Sequence, residues 1–287
     1  MATLTFPLND GTRIPALAFG TGTALYQKDA QHAVEVAISS GFIHLDGAQV
    51  YGNEESLGAA IAASGKPRDS LYIVTKLGKL PQGQTVVESL KESLKKLNLD
   101  YVDLFLIHMP VHHEGKLKEV WKGVEETKTQ GLAKSIGVSN FRVKDLEEIL
   151  SVASIIPAVN QIEFHPYLLK WAEPIVEFGK KHGIVTSSYG GLTPIIRHQG
   201  GPLDPIVASI RERLEKSRGK PVTESQVYVK WILQKGVVAI TTSSNEGRVK
   251  QYLETSEVPD LTPEEIASID NAGKQIHKRF FNAWLEH

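Results

Sequence analysis

Short apolar runs recur along the chain at 16–19, 42–45, 71–75, 102–107, 135–138, 158–162, 184–188 and 237–241, and nearly all are poor in charge. Between them lie longer segments in which apolar residues return every three or four positions, the period of an amphipathic helix. In the segment after Thr85, for example, Val86, Leu90, Leu94 and Leu97 share one face while Lys91, Glu92 and Lys95 share the other. Alternating buried strands and helices predict βαβ units around a parallel sheet, and eight repeats predict a (β/α)8 TIM barrel. An open doubly wound sheet gives the same alternation, so the barrel needs support from elsewhere. Thr85-Val86-Val87-Glu88, Thr223-Glu224-Ser225-Gln226 and Thr262-Pro263-Glu264-Glu265 read as capping boxes that start helices, and Asp204-Pro205 as an N-cap followed by a helix-initiating proline. Ahead of the first run, Asn9-Asp10-Gly11 lies between two short extended stretches and predicts an N-terminal β-hairpin that plugs one barrel end.

Composition narrows the function classes. The 287 residues carry a formal net charge of −1 with no long run of one sign, which favours a small-molecule partner over nucleic acid or a membrane surface. The absence of cysteine excludes disulfides, thiolate catalysis and cysteine-ligated metal. Nothing resembles a leader or a span, so the expectation is a cytoplasmic protein, a monomer or weak dimer. Residues 1–284 read as one barrel domain and 285–287 as the remnant of a tag.

Support for a barrel comes from polar residues at strand ends, where the catalytic groups of such barrels sit. Asp46 follows Ile43-His44-Leu45, Lys76 follows Ile73-Val74-Thr75, and His108 follows Leu104-Phe105-Leu106-Ile107; Tyr51 lies in the loop after Asp46. Singly, Asp46 reads as a helix cap, Lys76 as one half of an ion pair, and Tyr51 as packing. Together they predict a proton-donating phenol: an ammonium beside Tyr51 lowers its value, Asp46 keeps Lys76 charged, and His108 donates to a carbonyl oxygen. His112 and His113 are adjacent with no carboxylate cluster near them, so they read as loop residues and no metal is expected. Gly20-Thr21-Gly22-Thr23 lacks the third glycine of a dinucleotide fingerprint.

On these four residues, and on Leu132-Ala133-Lys134-Ser135-Ile136-Gly137-Val138-Ser139-Asn140-Phe141, the chain resembles the aldo-keto reductase family. The resemblance implies an NADPH-dependent oxidoreductase that reduces a ketone or aldehyde. Asp46, Tyr51, Lys76 and His108 would be its catalytic tetrad. Ser139, Asn140 and Gln161 would hold the nicotinamide carboxamide, and Tyr189 would stack on the ring. Gly190 and Leu192 would belong to the pyrophosphate turn, although Gly190-Gly191-Leu192-Thr193-Pro194 departs from the family's usual Ser-Pro-Leu-Gly. Thr241, Thr242, Ser243, Ser244, Asn245 and Arg248 would form the adenosine-phosphate site, with Thr242 where the family carries lysine and Arg248 meeting the 2′-phosphate. The threonine-serine variant is similar to the fungal branch of conjugated polyketone and α-keto amide reductases, which implies an activated, α-dicarbonyl-type ketone. Tyr26, Phe280 and Trp284 are expected at the substrate mouth, and Trp121 in the core. Two other readings fit the same residues: a nucleotide-binding regulatory subunit with little turnover, and a Schiff-base aldolase using Lys76.

Overall fold

In a computed structural model, which describes residues 3–282 and Leu285, eight parallel strands close into a barrel. A two-stranded antiparallel hairpin, β1 (Thr5–Pro7) and β2 (Arg13–Pro15), precedes it. The barrel strands are β3 (Leu17–Gly20), β4 (His44–Asp46), β5 (Tyr72–Leu77), β6 (Val102–Ile107), β7 (Ala133–Ser139), β8 (Val159–Glu163), β9 (Val185–Tyr189) and β10 (Val238–Thr241). Each pairs with its neighbours in sequence, and β10 closes the ring on β3 through Ala239 opposite Leu17 and Thr241 opposite Phe19. All eight expected strands are present, which settles barrel over open sheet. Several run one residue further than their apolar run: Asp46, Ser139, Glu163 and Tyr189 stay in the ladder although they are polar.

The hairpin turn forms because Gly11 takes a left-handed φ of 84° and the Asp10 carboxylate accepts from the Thr12 amide and hydroxyl at 3.1 and 2.7 Å. Leu8 and Ile14 then pack with Tyr72, Val74, Leu104, Leu106, Val159 and Val238 from the barrel interior, so the hairpin does plug the end at which the strands begin. A larger apolar layer fills the space between the outer barrel wall and the helices. Helix Val86–Leu97 buries Val86, Leu90, Leu94 and Leu97 there as its period predicts, each worth about 1.5–3 kcal/mol when fully removed from water. Trp121 is wholly buried, its indole donating to Ile155 O at 3.2 Å.

All three capping boxes form. The fourth helix start is shifted by one residue: Leu203 occupies the cap position of helix Asp204–Arg218, and the Asp204 carboxylate accepts from the Gly200 amide at 2.7 Å. The carboxylate closes the preceding loop instead of capping, while its charge still lies in the helix's first turn.

Candidate active site

The barrel's geometry turns the strand ends into one mouth. Asp46 is the last residue of β4, Lys76 the penultimate residue of β5, and His108 follows β6; Ser139 and Tyr189 end β7 and β9, and Gln161 lies in β8. Lys76 has no solvent-exposed surface, and its ammonium donates to Asp46 Oδ1 at 2.5 Å, Gly47 O at 2.8 Å and Tyr51 OH at 3.3 Å. Its three protons therefore have three acceptors. The second Asp46 oxygen accepts from Gln161 Nε2 at 2.8 Å. The His108 ring meets the Tyr51 ring edge-to-face at 5.6 Å.

These contacts set the protonation states. Burial alone lowers an ammonium, but Asp46 and Tyr51 together hold Lys76 above its ordinary value. Burial raises the Tyr51 phenol, and the Lys76 ammonium opposes this without reversing it. The expectation of a lowered phenol is thus corrected for the resting site: desolvation outweighs the cation, and Tyr51 stays protonated. Burial, then the nearby Lys76 charge, holds His108 well below the ordinary imidazole value of 6.5, so it is neutral at physiological pH.

Burial likewise lowers His44, His165 and His113, the last to about 4. A histidine depressed by folding binds fewer protons than in the unfolded chain once pH drops below 6.5, so its contribution is complete above that value and declines as pH falls. The urea midpoint is accordingly expected to fall steadily between roughly pH 7 and pH 5, and His113→Asn to flatten part of that slope. A midpoint constant over the interval would contradict these shifts.

The Tyr51 turn is fixed by residues that the sequence reading passed over. In turn Gln49–Tyr51, the Gln49 amide donates to Ser89 O, Ser89 Oγ and Ser93 Oγ at 3.2, 2.9 and 2.9 Å and accepts from Gly78 N at 2.7 Å. A Cβ on Gly22 would come within 2.9 Å of the Tyr51 ring, so that glycine serves close packing. Tyr26 is exposed and meets Tyr51 edge-to-face at 6.3 Å.

Beside the tetrad stands an amide cluster. Asn140 takes a left-handed φ of 63° just after β7, and its Nδ2 donates to His108 O and Ser139 Oγ at 3.0 and 3.1 Å. Ser139 Oγ donates to Gln161 O at 2.9 Å, and Tyr189 OH donates to Asn140 Oδ1 at 2.6 Å. Gly190 has a φ of 70°, and a Cβ on Gly191 would come within 2.4 Å of the Ile232 side chain. The unusual Gly-Gly pair is therefore required by backbone conformation and packing, and Leu192 beyond it is buried. At the far end, Thr241 Oγ1 donates to Ala18 O at 3.1 Å across the barrel seam. The Thr242 hydroxyl is buried without a partner among the described residues. Ser243 Oγ accepts from Arg248 Nε at 3.1 Å, Asn245 caps helix Glu246–Leu253 by accepting from Arg248 N at 2.9 Å, and Ser244 is exposed.

Glu163 went unremarked in the sequence, yet it organises the tail. Fully buried at the end of β8, it accepts from His165 Nε2 at 3.0 Å, Phe280 N at 2.8 Å, Phe281 N at 3.2 Å and Arg279 at 3.4 Å. The readable signal was parity: Glu163 sits two positions beyond Gln161 and so faces the same way. Phe280 packs its ring on His165 at 5.3 Å, and Phe281 is the aromatic that reaches Tyr189, at 5.7 Å. Trp284 lies outside the described residues.

A closed barrel with a lysine-bridged aspartate and tyrosine at its mouth defines a class, and comparison with known proteins agrees: residues 16–274 match the Aldo/keto reductase family, and the chain belongs to it. It is 40% identical over 281 residues to the NAD/NADP-dependent indole-3-acetaldehyde reductase of Schizosaccharomyces pombe, covering 94% of this chain and 96% of that one. It is 34% identical to the NADPH-dependent alpha-keto amide reductase of Saccharomyces cerevisiae, covering 93% and 90%. Among solved structures, a Bombyx mori aldo-keto reductase in complex with NADP superimposes with a TM-score of 0.83 at 32% identity, covering 94% of this chain and 93% of that one.

Proposed function

We propose that this chain reduces the carbonyl of an activated, α-dicarbonyl-type ketone or an aldehyde with NADPH, and that Tyr51 is its proton donor. The observation that carries the reading is the fully buried Lys76 ammonium, which touches both Asp46 and Tyr51 at the strand ends. Bound nicotinamide supplies the hydride. The Tyr51 phenol, kept protonated by burial, gives its proton to the carbonyl oxygen as charge builds there. The phenolate left behind lies against the Lys76 ammonium, which stabilises it until solvent returns a proton. Neutral His108 has one ring N–H with which to hold the same oxygen.

The residues fit the cofactor. The Ser139 hydroxyl and the Asn140 and Gln161 amides match a carboxamide, and Tyr189 offers its ring. The Thr242 hydroxyl, buried with no partner among the described residues, and the Ser243–Arg248 pair suit a phosphate. The aldolase reading requires a neutral Lys76 amine, whereas Asp46 and Tyr51 favour the ammonium. Similarity to an α-keto amide reductase supports the activated ketone, and similarity to an indole-3-acetaldehyde reductase supports the aldehyde.

The test is NADPH oxidation against α-keto amides, α-keto lactones, β-keto esters and aromatic aldehydes, with the alcohol product identified chemically. Turnover is expected to be fastest on the α-dicarbonyl compounds. NADPH binding without oxidation on any member of the panel would move the assignment to a regulatory nucleotide-binding subunit.

A further inference from the structure

We propose that Asn282, on the C-terminal tail that Glu163 holds down, is a positioning residue for the nicotinamide end of the cofactor site. The inference rests on the NADPH reading above.

The bonds that carry it are few. Asn282 Nδ2 donates to Tyr189 OH at 2.9 Å and to Asn140 Oδ1 at 3.3 Å. Tyr189 OH in turn donates to Asn140 Oδ1 at 2.6 Å, so the three side chains close a triangle. Asn282 itself has a φ of 51°, a left-handed conformation that asparagine tolerates better than most residues. Leu285 N donates to Asn282 O at 3.0 Å, and Leu285 is buried.

A side-chain amide has a donor end and an acceptor end of nearly equal size, and its orientation is set by its partners. Two donors converging on Asn140 Oδ1 hold that oxygen toward the tail and leave Nδ2 donating to His108 O and Ser139 Oγ. The same contacts fix the Tyr189 phenol, and with it the ring on which the nicotinamide is expected to stack. Phe281 backs that ring edge-to-face at 5.7 Å. The tail keeps this arrangement because the Glu163 carboxylate receives the Phe280 and Phe281 amides and the Arg279 guanidinium, whose other face lies 3.9 Å from the Trp171 ring. Tail and β8 are thereby linked: Gln161 and Glu163, two residues apart on one strand, serve the cofactor directly and through the tail.

The experiment measures two dissociation constants on the full chain, for NADPH and for adenosine 2′,5′-bisphosphate, which lacks the nicotinamide. Asn282→Ala is expected to weaken NADPH roughly three- to tenfold, as the loss of about one net hydrogen bond would, and to leave the bisphosphate within about twofold. Asn282→Asp keeps the shape but removes the N–H donor, so it is expected to behave like Asn282→Ala; a space-filling role would tolerate it. Glu163→Gln is expected to shift NADPH in the same direction at an unchanged bisphosphate affinity. Tighter NADPH binding in the Asn282 variants would mean that the tail occupies the nicotinamide's place, and unchanged NADPH affinity with a raised KM for ketone would make the tail a substrate wall only. Either result overturns the proposal, as does an equal loss for both ligands. Wild-type protein with no measurable NADPH affinity would overturn the cofactor reading itself, and this arm is read before any variant is made.

Discussion

Tyr51→Phe is expected to lower kcat by about 10²–10⁴-fold while leaving the NADPH dissociation constant within a factor of about two. The substitution removes one oxygen and its proton. The ring keeps its place against His108 and Gly22, so on the proposed assignment binding is expected to be preserved and only the proton transfer lost. Because burial keeps the resting phenol protonated, wild-type activity is expected to hold through neutral pH and fall on the alkaline side as Tyr51 ionises. The variant's residual rate is expected to lose that alkaline limb. Stopped-flow single turnovers with a saturating ketone separate the chemical step from product release. Full activity in the variant would assign the proton to another group.

Lys76→Met combines a catalytic loss with a structural one. It removes the cation from a pair with no exposed lysine surface and leaves the Asp46 carboxylate buried with Gln161 as its one remaining donor among the described residues, a change that typically costs about 3–5 kcal/mol. Chemical denaturation is expected to show that loss, and kcat is expected to fall at least as far as in Tyr51→Phe. Adding Asp46→Asn removes the orphaned charge, so the double variant is expected to recover part of the stability and none of the activity. If the single variant were as stable as the wild type, the pair would hold little of the fold. The same pair sets an alkaline dependence. Lys76 is raised by folding, so its contribution is complete below the ordinary lysine value of 10.5 and disappears as pH rises through the folded value above it.

Much of this was readable because the fold repeats one pattern. Eight low-charge runs separated by amphipathic segments leave few topologies, and Asp46, Lys76 and His108 each stand directly after such a run. Tyr51 was readable only through its nearness to Asp46 in sequence. What escaped were the long-range partners. Glu163 and Asn282 lie far apart along the chain, and nothing local in either segment announces that a carboxylate on β8 will receive the amides of the tail. Gln49 escaped for the same reason, since its partners lie on another helix. The direction of the Tyr51 shift was misjudged because a sequence displays neighbouring charges but not the loss of water around a phenol. Several strand ends were set short because hydrophobicity stops before the ladder does, where the polar groups of the proposed site begin.

The hairpin and the tail occupy opposite poles of the barrel, and this asymmetry governs how the protein is best handled. A fusion partner or a surface linker joined ahead of β1 hangs from the sealed pole, away from every residue of the mouth. The same appendage joined at the other terminus extends the segment that Glu163 pins beside Tyr189 and Asn140. Immobilisation through the first residues is therefore expected to preserve turnover, and attachment through the last ones to tax it.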